Sequence, residues 1–171
     1  GAAFGASDGP RTLMPLTDST GTPLPAEEAP SPEVLQALGD ALFLAARSPR
    51  HAAMRVATLR AAFEPPILLG QYKVFRFDHV PRGMFTWARM SPDAERRYVR
   101  GEPFQQGDWQ SGERLWLIDL IAPYKGLTAS MVRWVMARGN FTQREFLFRR
   151  VVGDRQTRKI VHIDFDRPAG K

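Results

Sequence analysis

The stretch RLWLIDLIAP, Arg114 to Pro123, restricts the fold of this chain more than any other. Leu115, Trp116, Leu117, Ile118, Leu120 and Ile121 surround a single carboxylate, Asp119. A short apolar run of this kind reads as a central strand covered on both faces. Strand period places Leu115, Leu117, Asp119 and Ile121 on one face, and Trp116, Ile118 and Leu120 on the other. An unpaired carboxylate inside such a strand is costly or becomes protonated. Asp119 therefore needs a cation, a set of N–H groups, a histidine or a cleft. A buried ion pair with an arginine is the plainest answer. Pro123 favours a cleft, because it ends the strand just before YKGLTAS leads into a helix. The carboxyl end of a central strand, facing a helix start, is a common place for ligands. Gly126 allows tight backbone there.

The rest of the chain supplies layers for such a strand. Ser31-Pro32 is a helix-start signal, and Val34, Leu35, Leu38, Leu42 and Ala45 recur at helical spacing to about Arg47. SPRH, Ser48 to His51, repeats the signal, which predicts a second helix stopping before Pro65-Pro66. The period then changes. QYKVFRF (71–77) and GMFTWARM (83–90) read as a hairpin around a turn at 81–83. SPDAERRYVRG (91–101) reads as a capped helix ended by Gly101. LTASMVRWVMAR (127–138) reads as a helix. REFLFRRVV (144–152) and RKIVHIDF (158–165) read as two strands around a Gly153-Asp154 turn. Together these give an α/β (α+β) class, a mixed central sheet flanked by helices.

The first 32 residues differ in kind. They hold six prolines among Gly, Ser, Thr and Ala, with little apolar periodicity. Residues 1–32 are expected to be a disordered or loosely attached extension, and 33–171 a single domain. Charge follows the same division. Residues 1–34 carry Arg11 against Asp8, Asp18, Glu27, Glu28 and Glu33, whereas the remainder carries 23 Lys and Arg against 13 Asp and Glu. A basic field of this strength attracts polyanions or acidic proteins.

Cysteine is absent, which excludes disulfides, thiolate metal sites and Cys nucleophiles. It is compatible with the cytoplasm. No apolar run approaches a membrane span, and no signal peptide is read at the start. The three histidines show no metal-ligand spacing. His79 is expected in an exposed turn and His162 packed on a strand. His51, just inside the expected second helix, is the histidine best placed for chemistry. A helix start opposes extra positive charge, and a neutral imidazole can act as a general base. The simpler reading is a surface histidine among Arg47, Arg50 and Arg55. Asp108 and Glu113, in DWQSGER, read as part of a structured loop rather than as an acid–base pair.

ARSPRH (46–51) followed by GDWQSGERLWLIDLIAPY (107–124) resembles the RTX toxin-activating lysine acyltransferases, the haemolysin C-type family. That family's pattern is Ser-Pro-x-His, then D-W-x-S-G-x-x-x-W-x-I-D-x-I-A-P-[FY], and every fixed position is present. The match spans roughly residues 34–165. The resemblance implies a GCN5-related N-acetyltransferase-like fold and a cytoplasmic protein-lysine acyltransferase. Its donor would be an acyl-acyl carrier protein and its acceptor an internal lysine of an RTX-type protoxin. It implies no cofactor and no metal. It assigns His51 and Asp119 as the catalytic pair and Ser48 a supporting role. APYKGLTAS (122–130) does not supply the Q/R-x-x-G-x-G/A loop that holds the pyrophosphate of coenzyme A, which favours the carrier protein over free acyl-CoA. An acyl-CoA-dependent N-acyltransferase of the same fold and a non-enzymatic nucleic-acid binder are the alternatives. No nucleic acid and no membrane span are expected as partners, and a homodimer is left open.

Overall fold

Periodicity of 3.6 gives way to alternation along the chain, and the elements follow that change. The computed structural model describes residues 16–24, 30–137, 140, 145–151 and 157–164. Two compact units divide the chain, Gly1–Pro32 and Glu33–Lys171. Within the first, residues 16–24 make a small turn. Thr17 bridges Pro23, and the Asp18 carboxylate accepts from the Thr20 hydroxyl and from the Thr20 and Thr22 N–H groups. The rest of the Pro-rich segment, residues 1–15 and 25–29, lies outside the described residues.

Helix α1 (Pro32–Ala45) starts at the last residue of the first unit, and α2 (Val56–Leu68) follows within the second. Two expectations about α2 fail. It starts at Val56 rather than after Ser48, and it runs through Pro65 and Pro66. Proline removes a helix hydrogen bond and crowds the preceding turn. Here the pair lies in the last turn, and Pro66 and Ile67 are buried in the core, so packing overrides local preference.

Strands β1 (Tyr72–Phe77) and β2 (Val80–Met90) form the expected hairpin, but its turn is Asp78-His79. Both residues take positive φ, at 49° and 66°, as a two-residue hairpin turn requires. Pro81 and Gly83 are instead inside β2. Ser91 then caps α3 (Pro92–Val99), its side chain accepting from the Ala94 N–H at 3.1 Å. A 3-10 turn (Gln106–Trp109) leads into β3 (Arg114–Ile121). Helix α4 (Leu127–Met136) connects β3 to β4 (Glu145–Val151), and β5 (Thr157–Asp164) follows. The Gly153-Asp154 turn, and the expected ends of elements at Arg138, Arg144, Val152 and Phe165, lie outside the described residues.

The five strands lie in sequence order, antiparallel except for the β3–β4 pair. A parallel pair needs a crossover, and α4 supplies it. One face carries two apolar clusters. The first joins α1 and α2 to Met84 and Ile121; the second joins α3 and Trp109 to Ala88, Met90, Trp116 and Leu147. The other face packs α4, through Met131 and Val135, on Phe85, Leu115 and Phe146. This is the mixed central sheet flanked by helices that the sequence implied.

Alternation along β3 breaks once. Trp87 pairs with Leu117, but Thr86 pairs with Asp119, so Ile118 is an extra residue. Such a bulge moves the residues after it to the opposite face. Asp119 and Ile121 consequently share the face of Trp116, not that of Leu115 and Leu117. The expected two-face assignment is corrected at these positions.

The SGE loop is fastened at the far end of β2. The Ser111 and Gly112 N–H groups donate to the Arg89 carbonyl at 2.8 and 3.2 Å. A Cβ on Gly112 would lie 2.5 Å from the Met90 carbonyl oxygen and 2.6 Å from Ser91 Cα. Backbone on both sides leaves no side chain free to yield. Gly112→Ala is therefore expected to destabilise the protein by about 1–3 kcal/mol in urea or thermal melts. An unchanged melt would contradict this packing.

Candidate active site

The turn between α1 and α2 carries the first half of the site. Ser48 leaves the end of α1, and its carbonyl accepts from the N–H groups of His51 at 3.0 Å and Ala52 at 2.8 Å. This turn, not a helix start, directs His51 inward. The expected helix-dipole effect on its imidazole therefore does not apply. His51 is only 1% exposed and rests near Phe63, with ring centroids 6.1 Å apart. Its Nδ1 lies 2.7 Å from Ser48 Oγ.

The second half is Asp119. His51 Nε2 donates to its two carboxylate oxygens at 3.0 and 3.2 Å, across 68 positions of sequence. The partner of the lone acid is thus an imidazole rather than a guanidinium. A carboxylate can only accept, so the ring proton shared with it belongs on Nε2. In a neutral ring Nδ1 then accepts from the Ser48 hydroxyl. The three residues form one chain of hydrogen bonds, from hydroxyl to imidazole to carboxylate.

This chain lies at a seam. On β2, Met84 belongs to the α1–α2 cluster and Ala88 to the α3 cluster, with Thr86 between them. On β3, Ile121 and Trp116 belong to the same two clusters, with Asp119 between. The polar groups therefore occupy the line where two apolar layers meet. The Asp119 side chain keeps 10% exposure, which leaves it a path to solvent. Parallel pairing of β3 with β4 is confined to Trp116–Leu147 and Leu117–Phe148, so the segment carrying Asp119 lies beyond that ladder.

Tyr98 and Arg149 border the same region. Arg149 donates to the Tyr98 carbonyl at 2.9 Å and lies over its ring at 4.4 Å. Burial pushes the Tyr98 phenol up; Arg149 opposes this, Asp119 adds to it, and Arg50 opposes it. The turn that carries His51 is rimmed by exposed Arg47, Arg50 and Arg55. Beside it, α1 and α2 enclose an apolar groove of about 270 Å³ whose lining includes Leu38, Leu42, Leu59 and Phe63. Phe63 thus touches both the groove and the His51 ring.

The other sequence candidates lie elsewhere. His79 is exposed in its turn, as expected. His162 is exposed rather than packed, because β5 is an edge strand, and it meets Glu145 at 2.6 Å. Helix α4 packs on the opposite face of the sheet, while Tyr124, just before its start, packs against the α1–α2 cluster. Among the described residues no group of His, Asp and Glu could hold a metal ion, and no helix is long and apolar enough to cross a membrane.

The sequence profile of the RTX toxin acyltransferase family (HlyC) matches residues 31–165, which include all of these groups. The chain belongs to this family. It is 39% identical over 106 residues to the protein-lysine palmitoyltransferase CyaC of Bordetella bronchiseptica, covering 59% of this chain and 57% of that protein. It is 33% identical over 127 residues to the RTX-III toxin-activating lysine-acyltransferase ApxIIC of Actinobacillus pleuropneumoniae, covering 74% of this chain and 72% of that protein. Over 91 residues it is 34% identical to the protein-lysine myristoyltransferase HlyC of Escherichia coli, covering 53% of this chain and 52% of that protein. The chain thus spans little more than half the length of two of these three relatives.

Asp108 of the DWQSGE motif has a structural partner. Arg97 grips its carboxylate with both terminal nitrogens at 2.7 and 2.8 Å, and the Gln105 N–H adds a bond at 2.8 Å. The Arg97 hydrogen bond holds the Asp108 carboxyl below the usual carboxylate range, and the Gln105 N–H reinforces it against burial. A carboxyl lowered on folding stabilises the protein above its unfolded value of about 3.9, and that stability is lost as pH falls through the folded value. The stability gap between wild type and Asp108→Asn should be full at neutral pH and close below about pH 4. Urea melts at neutral pH and near pH 3 would check this; a gap independent of pH would refute it.

Proposed function

We propose that this chain is a protein-lysine acyltransferase. It takes a fatty acyl group from acyl-acyl carrier protein and places it on an internal lysine side chain of an RTX-type protoxin, in the cytoplasm. The contact of His51 with Asp119 carries the reading. It joins a proton acceptor to a carboxylate in the setting that lysine acylation needs, and the relatives' names describe palmitoyl, myristoyl and lysine acyl transfer.

The chemistry starts from a protonated amine. A free lysine, with pKa near 10.4, is almost wholly ammonium at neutral pH and cannot attack a thioester. Asp119, the more exposed partner, holds the ammonium. His51 Nε2 takes one of its protons. Ser48 lets the ring do this, because a hydroxyl both donates and accepts. In the resting state it donates to Nδ1 while Nε2–H faces Asp119. In the reactive tautomer Nδ1–H donates to Ser48, and Nε2 offers its lone pair to the amine. The freed amine attacks the thioester carbonyl carbon, the C–S bond breaks, and the imidazolium gives its proton to the departing thiolate; the neutral ring then takes the second proton from the acylated nitrogen and releases it to water. The product is an amide and a free thiol, with His51 neutral again.

Two surfaces support the substrate assignment. Arg47, Arg50 and Arg55 beside the His51 turn suit an acidic carrier protein. The α1–α2 groove offers an apolar surface near the ring for a fatty chain. Asp119→Asn keeps the shape of the side chain but removes its charge, and it can favour the wrong tautomer. This variant and His51→Ala are each expected to lower acyl transfer by about 10³-fold or more. The measurement is intact mass of an RTX-type acceptor incubated with acyl-acyl carrier protein or with acyl-CoA. Circular dichroism should show both variants folded. Full activity in either would end that residue's role, and transfer from acyl-CoA alone would overturn the carrier-protein donor. Raising salt should weaken carrier-protein binding, since exposed charges are screened; a salt-independent affinity would refute docking on the arginine rim.

A further inference from the structure

A buried hydroxyl faces Asp119 from the neighbouring strand, and the transfer chemistry of Ser48, His51 and Asp119 does not use it. Thr86 on β2 pairs directly with Asp119 on β3, so the two side chains share a face. Side chains in such positions have Cβ atoms roughly 4.5–5.5 Å apart. Thr86 is 0% exposed, and its Oγ1 has no hydrogen-bond partner among the described residues. An unpartnered buried hydroxyl is destabilising. Its neighbours along the face, Met84 and Ala88, are wholly buried apolar residues. Valine has the same shape and would pack there without that penalty. Asp119, in turn, has acceptor capacity left. A carboxylate offers about four lone-pair sites, and the N–H of His51 reaches both of its oxygens. A donor without an acceptor thus stands opposite an acceptor with room for one.

We propose that Thr86 is a positioning residue for acyl transfer, its hydroxyl donating to the Asp119 carboxylate when His51 turns its Nε2 lone pair toward the substrate amine. This rests on the roles proposed for His51 and Asp119. In the resting tautomer Nε2–H fixes the carboxylate. In the reactive tautomer that donor is withdrawn, at the step when Asp119 must hold the ammonium in line with the ring. Rotation of Thr86 about χ1, between staggered positions, can bring its hydroxyl toward the carboxylate without moving the strand. The carboxylate then keeps its direction while the proton moves.

Thr86→Val separates this role from a structural one. A threonine that only fills space predicts a valine variant at least as stable and fully active. The proposal expects an unchanged or higher melting temperature, kcat for transfer lower by about tenfold or more, and KM for acyl-acyl carrier protein within about twofold. Thr86→Ser, which keeps the hydroxyl, should retain most of kcat. If the valine variant does not fold, Thr86→Ser and Thr86→Ala give the same comparison, because both lack the methyl and only alanine lacks the hydroxyl. Wild-type kcat in Thr86→Val, or equal kcat in the serine and alanine variants, would overturn the proposal and leave the roles of His51 and Asp119 standing. An unaltered chain that transfers from no acyl donor would sink those roles and this one together.

Discussion

One extra residue in β3 governs where the acid can go. Unbroken alternation would put Asp119 beside Leu115 and Leu117, beneath α4 and away from His51. The bulge at Ile118 turns it to the side where α1, α2 and α3 pack. The irregularity costs the strand part of its ladder. In exchange the carboxylate meets an imidazole that enters from a turn 68 positions earlier. The bond between them fixes the turn to the sheet as well as satisfying the acid. Neither group could remain so buried without the other.

That bond lies where two apolar clusters meet, and this position reconciles burial with access. Deep inside either cluster a carboxylate would lose nearly all contact with water and favour its neutral form. On an open surface the pair would be screened and mobile. At the seam His51 is enclosed while Asp119 keeps a small exposed edge. β4 leaves β3 after Leu117, close to the same point. The loop motif contributes from a distance. Asp108 ties the 3-10 turn to α3, and Trp109 packs into the cluster that forms one side of the seam. Its residues support the layer on which the site rests.

Much of this was legible in the sequence, because the signals were local and mutually consistent. Ser91-Pro92 and Gly101 bounded α3, and alternation marked β1 and β2. Asp119 announced itself as a carboxylate in an apolar strand. Other features depended on long-range packing and had no local signature. The bulge follows from pairing with β2, and periodicity alone argues against it. Pro65-Pro66 reads as a helix stop, yet burial of Pro66 and Ile67 carries α2 past it. Ser48-Pro49 imitates a helix start, but its carbonyl closes a short turn instead. Thr86 left a faint trace, as the polar residue between Met84 and Ala88 on the inward face of β2. Only its pairing with Asp119 gives that trace meaning.

The identity of Asp119's partner also bears on chemistry. Arginine was the obvious candidate in a chain this rich in guanidinium groups. It would have satisfied the acid, but permanently, since it does not release its charge in proteins. A carboxylate bound in that way has little negative charge left to offer an incoming ammonium. Histidine gives a partner whose proton can change position. Its second nitrogen faces a hydroxyl, a group that fits either tautomer without moving. Ser48, His51 and Asp119 can therefore redistribute protons inside a nearly closed site without rearranging the backbone. That property separates this arrangement from a structural ion pair such as Arg97–Asp108, in which both groups keep their charges and nothing is left to exchange.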